Sequence, residues 1–378
     1  MIALVTGGAG FIGSHICDSL LKKGYRVRIL DSLAEPVHPE NRVPEYLPKD
    51  VELIIGDIRN KALLSKALDG VDVVFHEAAH QGYLQDYSAF FDVNSVGTAM
   101  IFEIIAEKKL TPKKIIIASS QAVYGEGQYY CPEHGRSQPA PRPVEHLMKG
   151  QWEHTCAICG EVLKNQQATE ELINPNTQYA VSKYSQELIG LNLGLRHKIP
   201  VVCLRYSITL GRRQSFYNLY SGILRSFSTQ MKLGRSPVIF EDGLLQRDYI
   251  HVDDVVEANM CVLENKEADY KVFNVGTGES TTVLDFYGEL ARIMNSSLKP
   301  ELTGEFRVGD VRHIVSSPAR LQSLGWKPKR NIRDMMQDYL QYLNTQRIIG
   351  DPFKTAITDL KNNSAILRSD SGLVKISR

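Results

Sequence analysis

The opening stretch Leu4-Val5-Thr6-Gly7-Gly8-Ala9-Gly10-Phe11-Ile12-Gly13 constrains this chain more than any other. Residues 2–5 are apolar and read as a buried parallel strand, and a helical pattern of Ile12, Ile16, Leu20 and Leu21 follows. Three spaced glycines separate the two. Gly7 allows the tight turn off the strand, Gly10 lets backbone approach a pyrophosphate, and Gly13 lets the helix press on the sheet. Phe11 and Ile12 begin that helix, whose first-turn N–H groups and positive dipole end suit phosphate.

A second strand, 27–30, ends at Asp31, the place where an acid can hold the adenosine ribose hydroxyls. An acid there also repels a 2′-phosphate, so NAD is expected over NADP. A third strand runs from 51 into Asp57-Ile58, where a side chain can meet an adenine edge; Asp57 could equally cap a helix over 60–69. The fourth, 71–76, leads to Glu77-Ala78-Ala79, and the small Ala78 and Ala79 leave room for a cofactor at a strand end. Asn94 precedes a helix over 96–107, either as a cap or as a polar prop for the site. A fifth strand from Lys114 runs into Ser119-Ser120. This alternation predicts an α/β fold, a Rossmann-type doubly wound parallel sheet.

Tyr179 and Lys183 lie four residues apart, on one face of a helix over 179–196. A nearby ammonium favours phenolate, which suits Tyr179 as a general base near neutral pH. Ser120 can bond the same substrate oxygen, and Lys183 can also hold the nicotinamide ribose. The Gly-x-x-Gly-x-x-Gly spacing resembles the short-chain dehydrogenase/reductase superfamily. With Ser120 and Tyr-x-x-x-Lys, the chain resembles its extended branch acting on nucleotide sugars.

The resemblance covers about residues 1–345 and is strongest to NAD-dependent nucleoside-diphosphate-sugar 4-epimerases. Segments 30–33, 37–38, 124–127 and 239–243 are most similar to dTDP-L-rhamnose 4-epimerases. It implies that Arg247 and Arg307 contact the diphosphate, for which a guanidinium fork suits two oxygens. It also implies a substrate contact for Asn218, read as the start of the next helix, and a homodimer through two helices. In related dehydratases the catalytic Ser/Thr is followed by Asp-Glu. Here Gln121-Ala122 follow Ser120, so dehydration is disfavoured. A 4-ketosugar reductase using NAD(P)H is an alternative enzyme; an NAD-sensing scaffold is an alternative outside catalysis.

Between 128 and 172 the α/β rhythm stops. Cys131-Pro-Glu-His134-Gly and Cys156-Ala-Ile-Cys159-Gly resemble two zinc knuckles, with His154 a possible substitute for His134. Three thiolates and one imidazole would close a tetrahedron, so zinc would be structural; the alternative is unligated thiols. A segment this polar needs such a staple, and its place in the chain puts it near the site's mouth. Cys17, Cys203 and Cys261 read as buried bystanders.

The predicted organisation is an NAD-binding unit from 1–127 and 173–205, with 247–275 returning to it. The insert is 128–172, a substrate lobe takes 206–246 and 276–348, and 349–378 is a surface arm or disordered. The 44 basic and 43 acidic residues are intermixed, which argues against nucleic acid or a membrane surface as partner. No apolar run is expected to approach the ~18 residues of a membrane span. A cytoplasmic location is expected.

Overall fold

The computed structural model describes residues 1–82, 85–215, 218, 222–346 and 366–370. Seven parallel strands make the central sheet: β1 (Ile2–Thr6), β2 (Arg26–Asp31), β3 (Glu52–Ile55), β4 (Val73–His76), β5 (Lys114–Ser120), β6 (Val201–Tyr206) and β7 (Lys271–Val275). Their order is β7-β6-β5-β4-β1-β2-β3. The chain winds outward through β1, β2 and β3, then returns to the other side of β1 at β4. The switch point therefore lies between β1 and β4, where an open α/β sheet has its ligand crevice.

Side chains alternate across each strand, so a sheet covered on both faces needs apolar residues at every position. Val5, Ile29, Phe75, Ile116 and Leu204 enter the core on one face. Their neighbours Leu4, Leu30, Val74, Ile117 and Cys203 enter the core on the other. A third core lies outside the sheet, where Phe227, Phe286, Met335 and Tyr339 join helices Gly222–Lys232, Val283–Ile293 and Ile332–Thr345. Two of the helices beside the sheet begin at side-chain caps. Asn60 accepts from Leu63 N for Lys61–Leu68, and Thr177 accepts from Ala180 N for Gln178–His197. The cap alternative for Asp57 is thereby overturned.

Three further expectations change. The stretch Tyr87–Lys108 has the length and mean hydropathy, 1.4, of a membrane-crossing helix. Asp92, Asn94, Thr98 and Glu103 are among the polar residues that break it into short apolar runs. One side of it packs beside helix Gln178–His197, and 44% of the apolar window is buried. Asn218 stands before the described helix Gly222–Lys232; residues 219–221 lie outside the described ones. Cys261 is only half-buried, whereas Cys17 and Cys203 are fully buried.

The tail correction is the most informative. Ile366–Arg368 forms a strand antiparallel to Glu305–Arg307, with Ile366 opposite Arg307 and buried. Ile366 and Leu367 give this short piece apolar anchors that the surrounding Lys-, Ser- and Asn-containing sequence hides. Residues 349–365 and 371–378 of the expected arm lie outside the described residues.

Candidate active site

Gly7 turns the chain off β1 with φ +68°, and a Cβ there would lie 2.7 Å from Ala78 N. A Cβ on Gly13 would lie 2.3 Å from the Gly7 carbonyl oxygen. Both positions therefore exclude side chains, and they bring helix Phe11–Lys22 against the loop. Gly10 is the helix N-cap and has no side chain to close its end. The cradle fits a pyrophosphate on the first-turn N–H groups. Phe11 and Ile12 occupy that turn.

Asp31 is buried at the end of β2, where its carboxylate accepts from Ala9 N at 2.9 Å and Leu33 N at 2.9 Å. It is thus fixed beside the glycine loop, at the position a ribose-binding acid needs. Asp57 is held by Arg59 through two side-chain bonds of 2.9 and 2.7 Å, which keep its carboxyl below the usual range. The Ile58 side chain lies in the core against Gly97, leaving backbone to face a base. Ala78 and Ala79 follow β4 at the crevice. Asn94 is buried, accepts from His80 N at 2.7 Å, and donates to His80 O and to Ser182 Oγ at 2.9 Å. Its prop reading fits this geometry and its cap reading does not, because it sits inside the π-helical turn Phe91–Val96.

Ser120 ends β5 near Tyr179, and its hydroxyl favours the phenolate there. Ser120 Oγ also accepts from Ala122 N at 3.1 Å, which fixes its rotamer. Lys183, one helical turn beyond Tyr179, is buried with Nζ 6.0 Å from the Tyr179 ring centre and 2.8 Å from Ala118 O. The three residues converge at the C-terminal end of the sheet. Their electrostatics differ from the expectation of a lowered phenol. Burial pushes Tyr179 up to about 12, with the Ser120 hydroxyl opposing. Burial also lowers Lys183 to about 8.

The model of the NAD-dependent epimerase/dehydratase family matches residues 3–145 and 154–276, more than half of the chain. The chain belongs to this family.

Among curated relatives of this family member is a dTDP-L-rhamnose 4-epimerase from Burkholderia thailandensis, 31% identical, covering 86% of this chain and 90% of the relative. A putative UDP-glucose 4-epimerase from Methanocaldococcus jannaschii is 32% identical, with 90% and 97% covered. Among solved structures, UDP-glucose 4-epimerase from Thermotoga maritima with UDP-glucose has a TM-score of 0.75 at 28% identity, with 91% and 99% covered. UDP-glucuronic acid 4-epimerase from Bacillus cereus with UDP-glucuronic acid and NAD has a TM-score of 0.74 at 26% identity, with the same coverage.

In this epimerase/dehydratase chain the two arginines flank one turn. Arg247 donates to Asp310 Oδ1 at 3.1 Å, Val311 O at 2.6 Å, Arg312 O at 2.9 Å and Gln246 O at 3.0 Å. Those four bonds use all four of its terminal N–H groups. Arg307 lies in strand Glu305–Arg307 with its guanidinium 5.0 Å from the Phe240 ring, and its carbonyl accepts from Asp310 N. Asp310 thus links them. Asn218 donates its N–H to Ser215 Oγ at 3.3 Å.

In the insert, Cys131, His134, Cys156 and Cys159 bring one donor atom each within 4.8 Å of all the others. Cys131 and Cys159 sulfurs are 3.6 Å apart, too far for a disulfide of ~2.05 Å. His134 Nδ1 is 3.6 Å from the sulfurs of Cys131 and Cys156. A ZnS3N tetrahedron with Zn–S of ~2.3 Å and Zn–N of ~2.0 Å has edges of about 3.5–3.8 Å. Backbone N–H groups of Cys159 and Ile158 lower the Cys156 thiol, while the Cys131 and Cys156 sulfurs push the Cys159 thiol the other way. His154 is outside the cluster and bonds Glu126 at 2.9 Å, so it is no substitute for His134.

Sequence reading missed Glu77, which was passed over among small residues at the end of β4. Tyr206 donates to it at 3.0 Å, and burial raises its carboxyl to about 7. It missed Glu187 as well, which takes a two-pronged bond from buried Arg205 at 2.8 and 2.7 Å and a bond from Ser119, next to Ser120. A lone acid in an apolar strand end or helix face was the available signal.

Proposed function

We propose that this chain is an NAD-dependent nucleoside-diphosphate-sugar 4-epimerase. The observation that carries the reading is the convergence of Ser120, at the end of β5, with Tyr179 and Lys183, whose Nζ lies 6.0 Å from the Tyr179 ring centre. Gly7, Gly10, Gly13 and the first-turn residues would hold the pyrophosphate, Asp31 the adenosine ribose, and Lys183 the nicotinamide ribose. Asp57, Ile58, Ala78, Ala79 and Asn94 complete the cofactor wall. When bound, NAD+ would supply a reversible acceptor for the C4 hydride.

Tyr179 takes the proton from the sugar O4 and returns it after the 4-keto sugar has presented its other face. Ser120 orients that oxygen, and the Lys183 ammonium favours phenolate during the transfer. A phenol raised by burial stays protonated at neutral pH, and a neighbouring positive charge makes its phenolate available for the transfer. Ala122 next to Gln121 supplies no second acid for water loss, which favours epimerisation over dehydration. Incubating purified protein with dTDP-, UDP- and GDP-sugars and reading C4 inversion by NMR tests this. Stoichiometric NADH consumption would favour the 4-ketosugar reductase. For the sugar, dTDP-L-rhamnose is our choice, supported by the Burkholderia relative and by the quoted segments.

We read Arg307 and Asn218 as the diphosphate-side contacts, with Arg247, whose terminal N–H groups are all turned onto the protein, lending that arm its positive charge rather than a fork, and the Cys131/His134/Cys156/Cys159 cluster as a structural Zn²⁺ site. The tetrahedral edges support zinc, and metal analysis of freshly purified protein tests it. We also infer a homodimer. Val181, Leu188 and Leu195 are exposed at seven-residue spacing on helix Gln178–His197, and Tyr87, Phe91 and Val96 are exposed on the stretch beside it. Two such helices from each copy would bury both stripes, and light scattering at a monomer mass would contradict it. Free thiols and a nicotinamide-dependent reaction fit the cytoplasm.

A further inference from the structure

The insert is bound to the substrate side of the molecule by buried charge. Its Glu153 accepts from Arg312 Nε at 3.0 Å and Nη2 at 2.5 Å, and its other oxygen pairs His313 Nε2 at 3.0 Å. Arg312 is fully buried and spends its remaining donors on Glu241 at 2.9 Å and Asp242 at 2.7 and 2.8 Å. A second insert residue, Arg142, forks onto Glu241 at 2.9 and 2.8 Å and donates to Asp310 O at 2.8 Å. Burial opposes ionisation of Glu153, yet bonds from His313 and Arg312 outweigh it and hold the carboxyl at about 2.

Both contacts land on segment 310–313, and that segment grips Arg247 through three of its residues. On the other side, Glu126 pairs His154, next to Glu153 and two residues before Cys156. A Cβ on Gly127 would lie 2.8 Å from His313 O, so the start of the insert also presses on the segment. The Cys/His cluster is therefore continuous with the diphosphate arm: Cys156, then Glu153, then Arg312, then the backbone that positions Arg247.

We propose that the insert is an added wall of the substrate site, in which Glu153 is a positioning residue that transmits the rigidity of the metal-clamped knuckles through Arg312 to Arg247. This rests on the metal and nucleotide-sugar readings above. A removable metal clamp would then set nucleotide affinity while leaving the cofactor cradle, built from residues outside this chain of contacts, unaffected. The ligand class is a nucleoside diphosphate, since Arg247 and Arg307 supply the cations of that arm.

The test uses the full chain with its bound NAD and isothermal titration of dTDP and of UDP, with no turnover required. Glu153→Gln keeps the side-chain volume and removes the charge at a position that is one-third exposed, so the fold tolerates it. The expected result is affinity weakened about tenfold, equal to about 1.4 kcal/mol, with NAD and zinc content unchanged. Cys159→Ser at the exposed ligand should weaken nucleotide binding in the same direction while NAD is retained. In turnover, the expected split is a raised KM with little change in kcat. Unchanged dTDP and UDP affinity in Glu153→Gln overturns the proposal, as does joint loss of NAD and nucleotide, which would mark a purely structural role. Failure of the wild-type chain to bind either nucleotide overturns the nucleotide-sugar reading and this inference with it. Absence of metal with the Glu153 effect intact overturns only the metal clamp.

Discussion

Lys183 Nζ lies 6.0 Å from the ring centre of Tyr179, the second residue of helix Gln178–His197, and Ser120, the last residue of β5, acts on the same phenol to favour its ionised form. The whole insert lies between Ser120 and Tyr179 in sequence, and the sheet brings them together because β5 and the helix pack on each other. A strand end supplies an exposed hydroxyl; a helix start supplies a phenol whose turn is fixed by the Thr177 cap. Catalysis in this account is that hydroxyl and that phenol plus a neighbouring charge.

Replacing Tyr179 with Phe removes the proton acceptor and leaves the ring. Turnover should fall by about 10²–10⁴, the usual worth of a positioned base, with NAD still bound after purification. Cofactor content by absorbance and turnover by NMR check both. Activity within a few-fold of wild type would remove Tyr179 from its role.

Lys183 carries its charge below about pH 8, because burial has lowered it. As pH rises through that value the ammonium is lost, so the alkaline limb of kcat should begin near pH 8. In Lys183→Arg the cation persists, and the limb should move upward or vanish even if the rate is lower overall. An unmoved limb would assign the titration to another group.

Much of this was legible before the fold was known. Glycines 7, 10 and 13, Asp31 and the Tyr-x-x-x-Lys spacing are local patterns, and each constrains backbone or helix face directly. What escaped depends on contacts between distant segments. The raised phenol of Tyr179 follows from burial, which spacing does not report. Glu187 looks like any helical acid until Arg205 of β6 meets it. The terminal strand Ile366–Arg368 is three residues in a polar tail, and only its partner, Glu305–Arg307, gives it a reason to exist.

His76 is fully buried between Thr6 and Thr98, and burial lowers it to about 3. Unfolded, it takes a proton near pH 6.5, so below that pH the unfolded chain binds more protons than the folded one. Stability should then fall with decreasing pH between 6.5 and about 3, by at most about 1.4 kcal/mol per pH unit from this residue. His15, lowered to about 4, acts in the same direction. Tm measured across this range should have a shallower slope in His76→Gln, and an unchanged slope would contradict the assignment.

Gly13→Ala places a methyl 2.3 Å from the Gly7 carbonyl, between two backbones that cannot part without moving the helix off the cradle. A loss of about 1–3 kcal/mol and weakened NAD retention are expected. Gly288→Ala, in helix Val283–Ile293 with open space around it, serves as control and should stabilise by about 0.5–1 kcal/mol. Denaturant midpoints compare them; equal effects would mean that the glycine loop is not tightly packed.

The measurement that bears most directly on the whole account is NMR of nucleotide sugars incubated with the purified chain and no added cofactor. The account predicts a mixture of C4 epimers formed with no net NADH produced or consumed, abolished in Tyr179→Phe. Absence of C4 inversion across dTDP-, UDP- and GDP-sugars, or product formed only with stoichiometric NADH, would contradict it.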